Sequence, residues 1–322
     1  MRILVINPPS KTGNGVVRDL VYGCWCSGRR IGGANTPPTS LLYIATVLKE
    51  GGHDVKLLDA VSERKSLEEV KQITKNFNII ITSTGSMFFE DAEILSELKK
   101  VNPSLTTIIY GSTSTFMLNY IMEMDSFDVI VRGEPEFIIR DVINCIESGD
   151  ASWKDVKGIG FRENGNIVLN EPYPLIEDLD DLPFLDRRML PQGVDYFNPI
   201  VKRMPYTTMT TSRGCSGQCN FCNVPSFYGR KTRYRSAENV LEELELIESQ
   251  GYKEVFFRDE TFTLFKKRNI EICSEVIKRN IDLTWLCNAR VGSVDKEMMK
   301  LMKRAGCHTI KFGVESGVQK NS

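Results

Sequence analysis

The sequence predicts an α/β protein: a doubly wound parallel sheet over residues 1–150, then a partial βα barrel over residues 207–322. Three observations carry this expectation. Short, apolar, β-branched runs alternate with helical stretches in both segments, a pattern that calls for parallel strands covered on both faces. Residues 151–206, between the two series, change character and read as a hairpin and linker. The chain of 322 residues is long enough for two domains, each with its own core.

In the first series "RILVIN" (2–7) reads as a buried strand and "TSLLYIATVLKEGG" (39–52) as a helix ended by glycines. The strand "DVKLLDA" (54–60), the helix "SLEEVKQITKN" (66–76) and the strand "NIIITSTGS" (78–86) follow. Next come the helix "FFEDAEILSELKKV" (88–101), the strand "LTTIIYGS" (105–112), the helix "FMLNYIMEM" (116–124), the strand "FDVIVRGE" (127–134) and the helix "EFIIRDVINCIESG" (136–149). The linker holds "VKGIGFRENGNIVLNEP", a hairpin turning at Glu163–Asn166, and the proline- and acid-rich "YPLIEDLDDLPFLDRRMLP". Second-series strands are "YTTMTTS" (206–212), "EVFFRDE" (254–260), "LTWLCNA" (283–289) and "TIKFGVE" (309–315). Helices at 237–251, 268–280 and 296–306 separate them, the first opened by Ser236 as N-cap.

A formal charge of −1 supplies no electrostatic footprint for nucleic acid. The N-terminus lacks the apolar region and cleavage site of a signal peptide, and no apolar run approaches the ~20 residues that span a bilayer. A cytoplasmic protein is expected. Thiols stay reduced there, so clustered cysteines point to metal or catalysis rather than disulfides.

Such a cluster occurs at 211–225, "TSRGCSGQCNFCNVP". Structural zinc wants four ligands, commonly as paired C-x2-C units, and this C-x3-C-x2-C is one short. A redox C-x-x-C would use Cys219 and Cys222 but leave Cys215 idle. Three thiolates suit a four-iron four-sulfur cluster with one iron left open. Gly214 and Gly217 give the backbone freedom to wrap such a group, and a loop between strand and helix lies where barrel enzymes carry their sites.

Here the sequence resembles the radical S-adenosylmethionine (radical SAM) superfamily. The resemblance rests on "RGCSGQCNFCNVPSFYGRKTRYRS", with Phe221 before the last cysteine, and on "RDETFT", "WLCNARV" and "AGCHTIKFGVESG" in family order. It implies that Cys215, Cys219 and Cys222 bind three irons of the cluster. SAM would chelate the fourth iron through its amino and carboxylate groups and, given one electron, release a deoxyadenosyl radical. It further implies SAM contacts at Phe221, Asp259, Glu260, Arg290, Glu315 and Ser316, with the two acids of 259–260 near the amino group, Arg290 near the carboxylate, and Glu315 and Ser316 near the ribose. The electron would come from a flavodoxin or ferredoxin.

"RILVINPP", "TPPTSLLYIATVLKEGGHDVKLLDA", "FDVIVRGEPEFIIRDVI" and "PLIEDLDDLPFLDRRML" look like the first domain and connector of the cobalamin-binding subgroup of that superfamily. This likeness implies a Rossmann-like cobalamin-binding domain, with cobalamin at the strand ends: Asn7, Pro8, Ser83, Thr84, Gly111, Ser112, Gly133 and Glu134. The D-x-H-x-x-G motif is missing and His53 is not placed to replace it, so no axial histidine is expected. The implied activity is cobalamin-dependent methyl transfer to an unactivated carbon. Cyclisation, rearrangement, methylthiolation and a non-catalytic cluster or cobalamin carrier are the alternatives, and the substrate is not specified. Family barrels have six βα units, so four strands read as a truncated barrel with weakened SAM affinity.

Other residues take plainer readings. Cys145 and Cys273 fall at helical spacing among Ile and Val, as core residues do; Cys24 and Cys26 form a C-x-C without partners; His53 and His308 read as structural. Arg230, Lys231, Arg233 and Arg235 read as a solvated face.

Overall fold

The computed structural model describes residues 1–10, 34–85, 87–149 and 151–318, which leaves Cys24 and Cys26 outside the described residues. The chain forms two compact units: Met1–Ile176 with Pro183–Asp195, and Glu177–Leu182 with Tyr196–Ser322.

The first unit runs β1 (Arg2–Asn7), α1 (Thr39–Glu50), β2 (Asp54–Asp59), α2 (Leu67–Thr74), β3 (Ile79–Ser83), α3 (Phe88–Val101), β4 (Thr106–Tyr110), α4 (Ser112–Phe116), α5 (Leu118–Ile121), β5 (Val129–Val131), α6 (Pro135–Glu147), β6 (Ile159–Glu163) and β7 (Asn166–Leu169). Its sheet has the order β2-β1-β3-β4-β5-β6-β7, with β1 to β5 mutually parallel. Strands such as Ile79–Ser83 are buried along their whole length, which is why they read as continuous apolar runs. α2 starts at a capping box: Ser66 Oγ accepts from the Glu69 N–H, and Glu69 accepts from the Ser66 N–H. Strand order reverses at β1 and β3, the switch point beyond which open α/β sheets receive ligands.

Two expectations are corrected. The hairpin assigned to the linker belongs to the first sheet, because β6 pairs antiparallel with β5 and β7 with β6. Asn164 (φ 51°) and Gly165 (φ 80°) both take positive φ between the paired Glu163 and Asn166, as a two-residue hairpin turn of this kind requires. The helix expected over 116–124 is instead the short α4 and α5. Ser114 Oγ and Thr115 Oγ1 both donate to the Gly111 carbonyl, and such local hydroxyl bonds compete with a continuous helix.

The second unit runs β8 (Tyr206–Met209), β9 (Ser212–Arg213), α7 (Val224–Tyr228), β10 (Arg233–Tyr234), α8 (Ala237–Ser249), β11 (Glu254–Phe257), α9 (Lys266–Lys278), β12 (Thr284–Arg290), α10 (Lys296–Arg304) and β13 (Cys307–Gly313). Strands β13-β12-β11-β8 form a parallel sheet, so their carboxyl ends share one rim. Val240, Leu244 and Ile247 of α8 pack with Phe257, Trp285 and Met302 in its core. Ser236 caps α8 as expected, accepting from the Asn239 N–H. At the opposite rim the buried Glu254 carboxylate accepts from the Lys202 and Arg203 N–H groups and from Thr284 Oγ1, and pairs with His308 Nε2 at 2.8 Å. The expected structural role of His308 is therefore filled. Likewise His53 lies between Glu147 (2.5 Å) and Asn144 (3.0 Å). No described helix is long and apolar enough to cross a membrane.

Candidate functional site at a cysteine loop

The strand expected over 206–212 ends at Met209, and Ser212–Arg213 leaves the sheet to pair antiparallel with Arg233–Tyr234. This ribbon ties both ends of residues 214–232. Gly214 takes φ +85°, and a Cβ there would meet the Lys231 carbonyl at 2.7 Å, so only glycine lets the two arms pass. Phe227 and Tyr228 of α7 are buried and anchor the loop. Cys215 and Cys222 are half-buried, Cys219 is exposed, and Phe221 is 70% exposed. The Gly217 N–H donates to Cys215 Sγ at 3.4 Å.

Gly217 leaves a cradle. A Cβ at that position would lie 3.3 Å from Cys215 Sγ, 3.8 Å from Cys219 Sγ and 3.8 Å from Arg290 Nη1. Among the described residues no three Cys, His, Asp or Glu side chains gather as ligands of one metal ion. Tetrahedral zinc would draw its thiolates to within about 4 Å of each other. A four-iron cube takes its thiolates at separate corners, and an all-sulfur set around a small-residue cradle suits it.

The remaining cysteines of this unit differ in kind. Cys273, Cys287 and Cys307 are buried in the core. Burial pushes the Cys273 thiol up to about 12, and a hydrogen bond with Cys307, together with burial, raises that of Cys287. Neutral thiols of this sort are packing groups.

Asp259 and Glu260, adjacent in sequence, do different work. Asp259 is fully buried and its carboxylate accepts from Thr211 N (2.6 Å), Thr211 Oγ1 (2.5 Å) and Ser212 Oγ (2.8 Å). The Asp259 carboxylate, expected near the SAM amino group, braces the entry to the cysteine loop. Glu260 has a buried Oε2 without any hydrogen-bond partner. Burial is the main cause that pushes its carboxyl up to about 8, with Asp259 adding to the rise, while Arg213 and Arg233 pull the other way. A buried, unsatisfied carboxylate oxygen fits an N–H donor from a ligand.

Arg290 is exposed at the end of β12, with Nη1 beside the Gly217 cradle, so the structure brings this residue to the thiols. Glu315 takes φ +57°, rare for a residue with a side chain, and is exposed just past β13. The Ser316 N–H closes a tight turn onto the Val314 carbonyl at 2.6 Å. The run at 230–235 divides: Arg230 and Lys231 are exposed, as a solvated face would be, but Arg233 and Arg235 are buried. Arg235 pairs with the buried Glu243 and binds Asn239 Oδ1 at 2.6 Å. Arg213, Tyr228 and Asn288, whose Nδ2 donates to the Asp259 carbonyl at 2.9 Å, were not singled out by sequence reasoning. The hydroxyl-rich "TTS" opposite an acid was the available signal.

In the first unit, several residues expected to meet cobalamin serve the fold. Thr84 Oγ1 donates to Asp91 at 2.9 Å, and Glu134 accepts from the Ile176 N–H at 2.8 Å. A Cβ on Gly111 would lie 2.3 Å from the Thr84 carbonyl, so that glycine is required by packing. Pro8 and Ser83 are buried, while Ser112 and Gly133 are half-exposed. Gly133 opens onto space, with nothing within 4 Å of a Cβ. Asn7 Nδ2 donates to Asp59 at 2.8 Å, but its buried Oδ1 has no partner. Open space and an orphaned acceptor suit a large ligand with amide donors.

Residues 209–320 match the model of the Radical SAM superfamily. The chain is 31% identical to an uncharacterized methyltransferase of Pyrococcus horikoshii over 321 residues, 98% of this chain and 66% of that protein. The chain carries a domain of the radical SAM superfamily. It is also 30% identical to the anaerobic magnesium-protoporphyrin IX monomethyl ester cyclase of Rubrivivax gelatinosus, over 99% of this chain and 56% of that one. It thus spans just over half to about two thirds of the length of these relatives. The radical SAM methyltransferase TsrM from Kitasatospora setae, solved with cobalamin and a four-iron four-sulfur cluster, shares the fold (TM-score 0.75, 20% identity, 98% of this chain and 61% of that one). So does the cobalamin-dependent radical SAM enzyme OxsB, solved with aqua-cobalamin and S-adenosylmethionine (TM-score 0.75, 19% identity, 99% and 44%). The doubly wound sheet followed by a second parallel sheet is therefore a fold that this chain shares with these two enzymes.

Proposed function

We propose that this chain is the cofactor-binding part of a cobalamin-dependent radical SAM methyltransferase that acts on an unactivated carbon. The observation that carries this reading is the pairing of an open three-thiol loop with the buried, unpartnered Glu260 Oε2 at the same rim. Cys215, Cys219 and Cys222 would hold the cluster, with Gly217 leaving room for it. Glu260 Oε2 would accept from the amino group of SAM, and Arg290 would face its carboxylate. Glu315 and Ser316 would hold the ribose, and Phe221 would cover the bound cofactor from solvent. In the first unit Asn7 Oδ1 would accept from a cobalamin amide, and the open space at Gly133 would leave room for the ligand. Bound there, these groups would supply a reductively cleaved SAM and a methyl carrier; the chain itself contributes ligands, orientation and exclusion of water. A flavodoxin or ferredoxin is the proposed electron donor, and the cytoplasm, where thiols stay reduced, the proposed location.

The second reading is cyclisation, favoured by the 30% identity to the anaerobic ester cyclase. Electron paramagnetic resonance on anaerobically reconstituted, dithionite-reduced protein tests the cofactor site. A cluster signal that shifts on adding SAM is expected, and absorbance of bound cobalamin after desalting should accompany it. Iron-free protein carrying stoichiometric zinc would overturn the proposal.

A further inference from the structure

Arg268, the third residue of α9, is buried at 7% exposure, and among the described residues it pairs with no carboxylate. Its guanidinium instead donates to the Arg235 carbonyl at 2.7 Å (Nε), to the Thr211 carbonyl at 3.0 Å (Nη2) and to Asn269 Oδ1 at 3.2 Å (Nη1). Thr211 immediately precedes β9 and Arg235 immediately follows β10, so they are the two feet of the ribbon that closes the cysteine loop. The Arg235 N–H already donates to the Thr211 carbonyl at 2.9 Å, and one side chain from a separate helix then spans both feet. Burying a charge to satisfy backbone carbonyls is costly unless that geometry matters. The helix turn that carries it is itself fixed, because the fully buried Asn269 donates to the Phe262 carbonyl.

Thr211 is gripped from its other side as well, its N–H and Oγ1 bonding Asp259 at 2.6 and 2.5 Å. Asp259 directly precedes Glu260, and its carbonyl accepts from Asn288, two residues before the Arg290 that borders the Gly217 cradle. A continuous run of hydrogen bonds therefore joins α9, the feet of the thiol loop, the Glu260 backbone and the end of β12. Arg268 is the one member that holds both feet together.

We propose that Arg268 is a positioning residue that fixes the cysteine loop relative to Glu260, so that one ligand can meet the thiol-bound group and the unpartnered carboxylate oxygen together. This rests on the functional reading above. A planar fork reaches two carbonyls at once, which a shorter amide does not.

Arg268→Gln, Arg268→Lys and, as a control, Ile272→Ala from the buried face of the same helix test the inference in the anaerobically reconstituted full chain. Iron content per folded Arg268→Gln chain should match wild type, because the three thiols remain. SAM binding per cluster should weaken by about tenfold, the scale of one lost hydrogen bond to a charged group, and the SAM-induced shift of the reduced-cluster resonance should shrink. Arg268→Lys keeps the charge and should recover part of the loss; it serves if the glutamine variant fails to fold. Ile272→Ala should lower the melting temperature and leave SAM binding per cluster unchanged. A second readout needs no cofactor: trypsin cleavage after the exposed Arg230 and Lys231 of the cluster-free chain, well below its melting temperature and mapped by mass spectrometry. Cleavage should be several-fold faster in Arg268→Gln than in wild type or Ile272→Ala. Unchanged cleavage, wild-type SAM affinity per cluster in a folded Arg268 variant, or equal weakening in Ile272→Ala would overturn the inference. Faster cleavage in a protein whose wild type binds no SAM would uphold the clamp and overturn the functional reading alone.

Discussion

Glu134 and Glu260 occupy similar places in the two units, each a glutamate just past the carboxyl end of a parallel strand. Glu134 accepts the Ile176 N–H and ties down the chain that follows the first sheet. Glu260 buries an oxygen that accepts nothing. The same division separates Thr84, bonded to Asp91, from Asn7, whose Oδ1 is orphaned, and Asp259 from its neighbour Glu260. Residue type at a strand end therefore says little about ligand contact. What distinguishes a ligand-facing group is hydrogen-bonding capacity that the protein leaves unused.

The sharpest way to break this comparison is to remove the thiols. Alanine at Cys215, Cys219 or Cys222 should abolish the cluster, read as loss of bound iron after reconstitution, while Cys273→Ala should leave iron content unchanged. Next in size is Arg235→Met. It breaks the buried ion pair with Glu243 and should cost about 3–5 kcal/mol, read by denaturant unfolding. The two glutamates should then part company. Glu134→Gln keeps an acceptor for Ile176 and should change stability by no more than about 1 kcal/mol at any pH. Glu260→Gln should raise the melting temperature of the cofactor-free chain at pH 8 to 9. The folded-state carboxyl of Glu260 lies at about 8 against an ordinary 4.5, so its contribution is present below 4.5 and lost as pH rises towards 8. The glutamine variant lacks that loss, and it should bind SAM more weakly. Smallest is Glu315→Gly, which relieves a positive φ and should stabilise by about 1 kcal/mol, with weaker SAM binding as the counterpart.

Much of this was legible in the sequence, because strand and helix periods and the three-cysteine spacing are local signals. α3 matches its expected bounds, Phe88–Val101, since its apolar positions recur at helical spacing without interruption. The roles of Asp259 and Glu260 were not legible. Their difference depends on Thr211 and Ser212, some 47 residues away in the chain, reaching one acid and missing the other. Arg233 and Arg235 misled for a related reason: alternate residues of a two-stranded ribbon face inward, whatever their charge. The hairpin was seen as a hairpin, but nothing in its residues said that β5 offered it an edge.

The ribbon at Arg213–Arg233 has one more consequence. Because residues 214–232 are already closed at their base, iron–sulfur assembly has little chain entropy left to overcome. Metal arrival and folding are then separate events, unlike those of small zinc domains that collapse only around their ion. A chelator should bleach this protein and leave its far-ultraviolet circular dichroism intact, and iron and sulfide returned to that pale chain should find the same three thiols waiting.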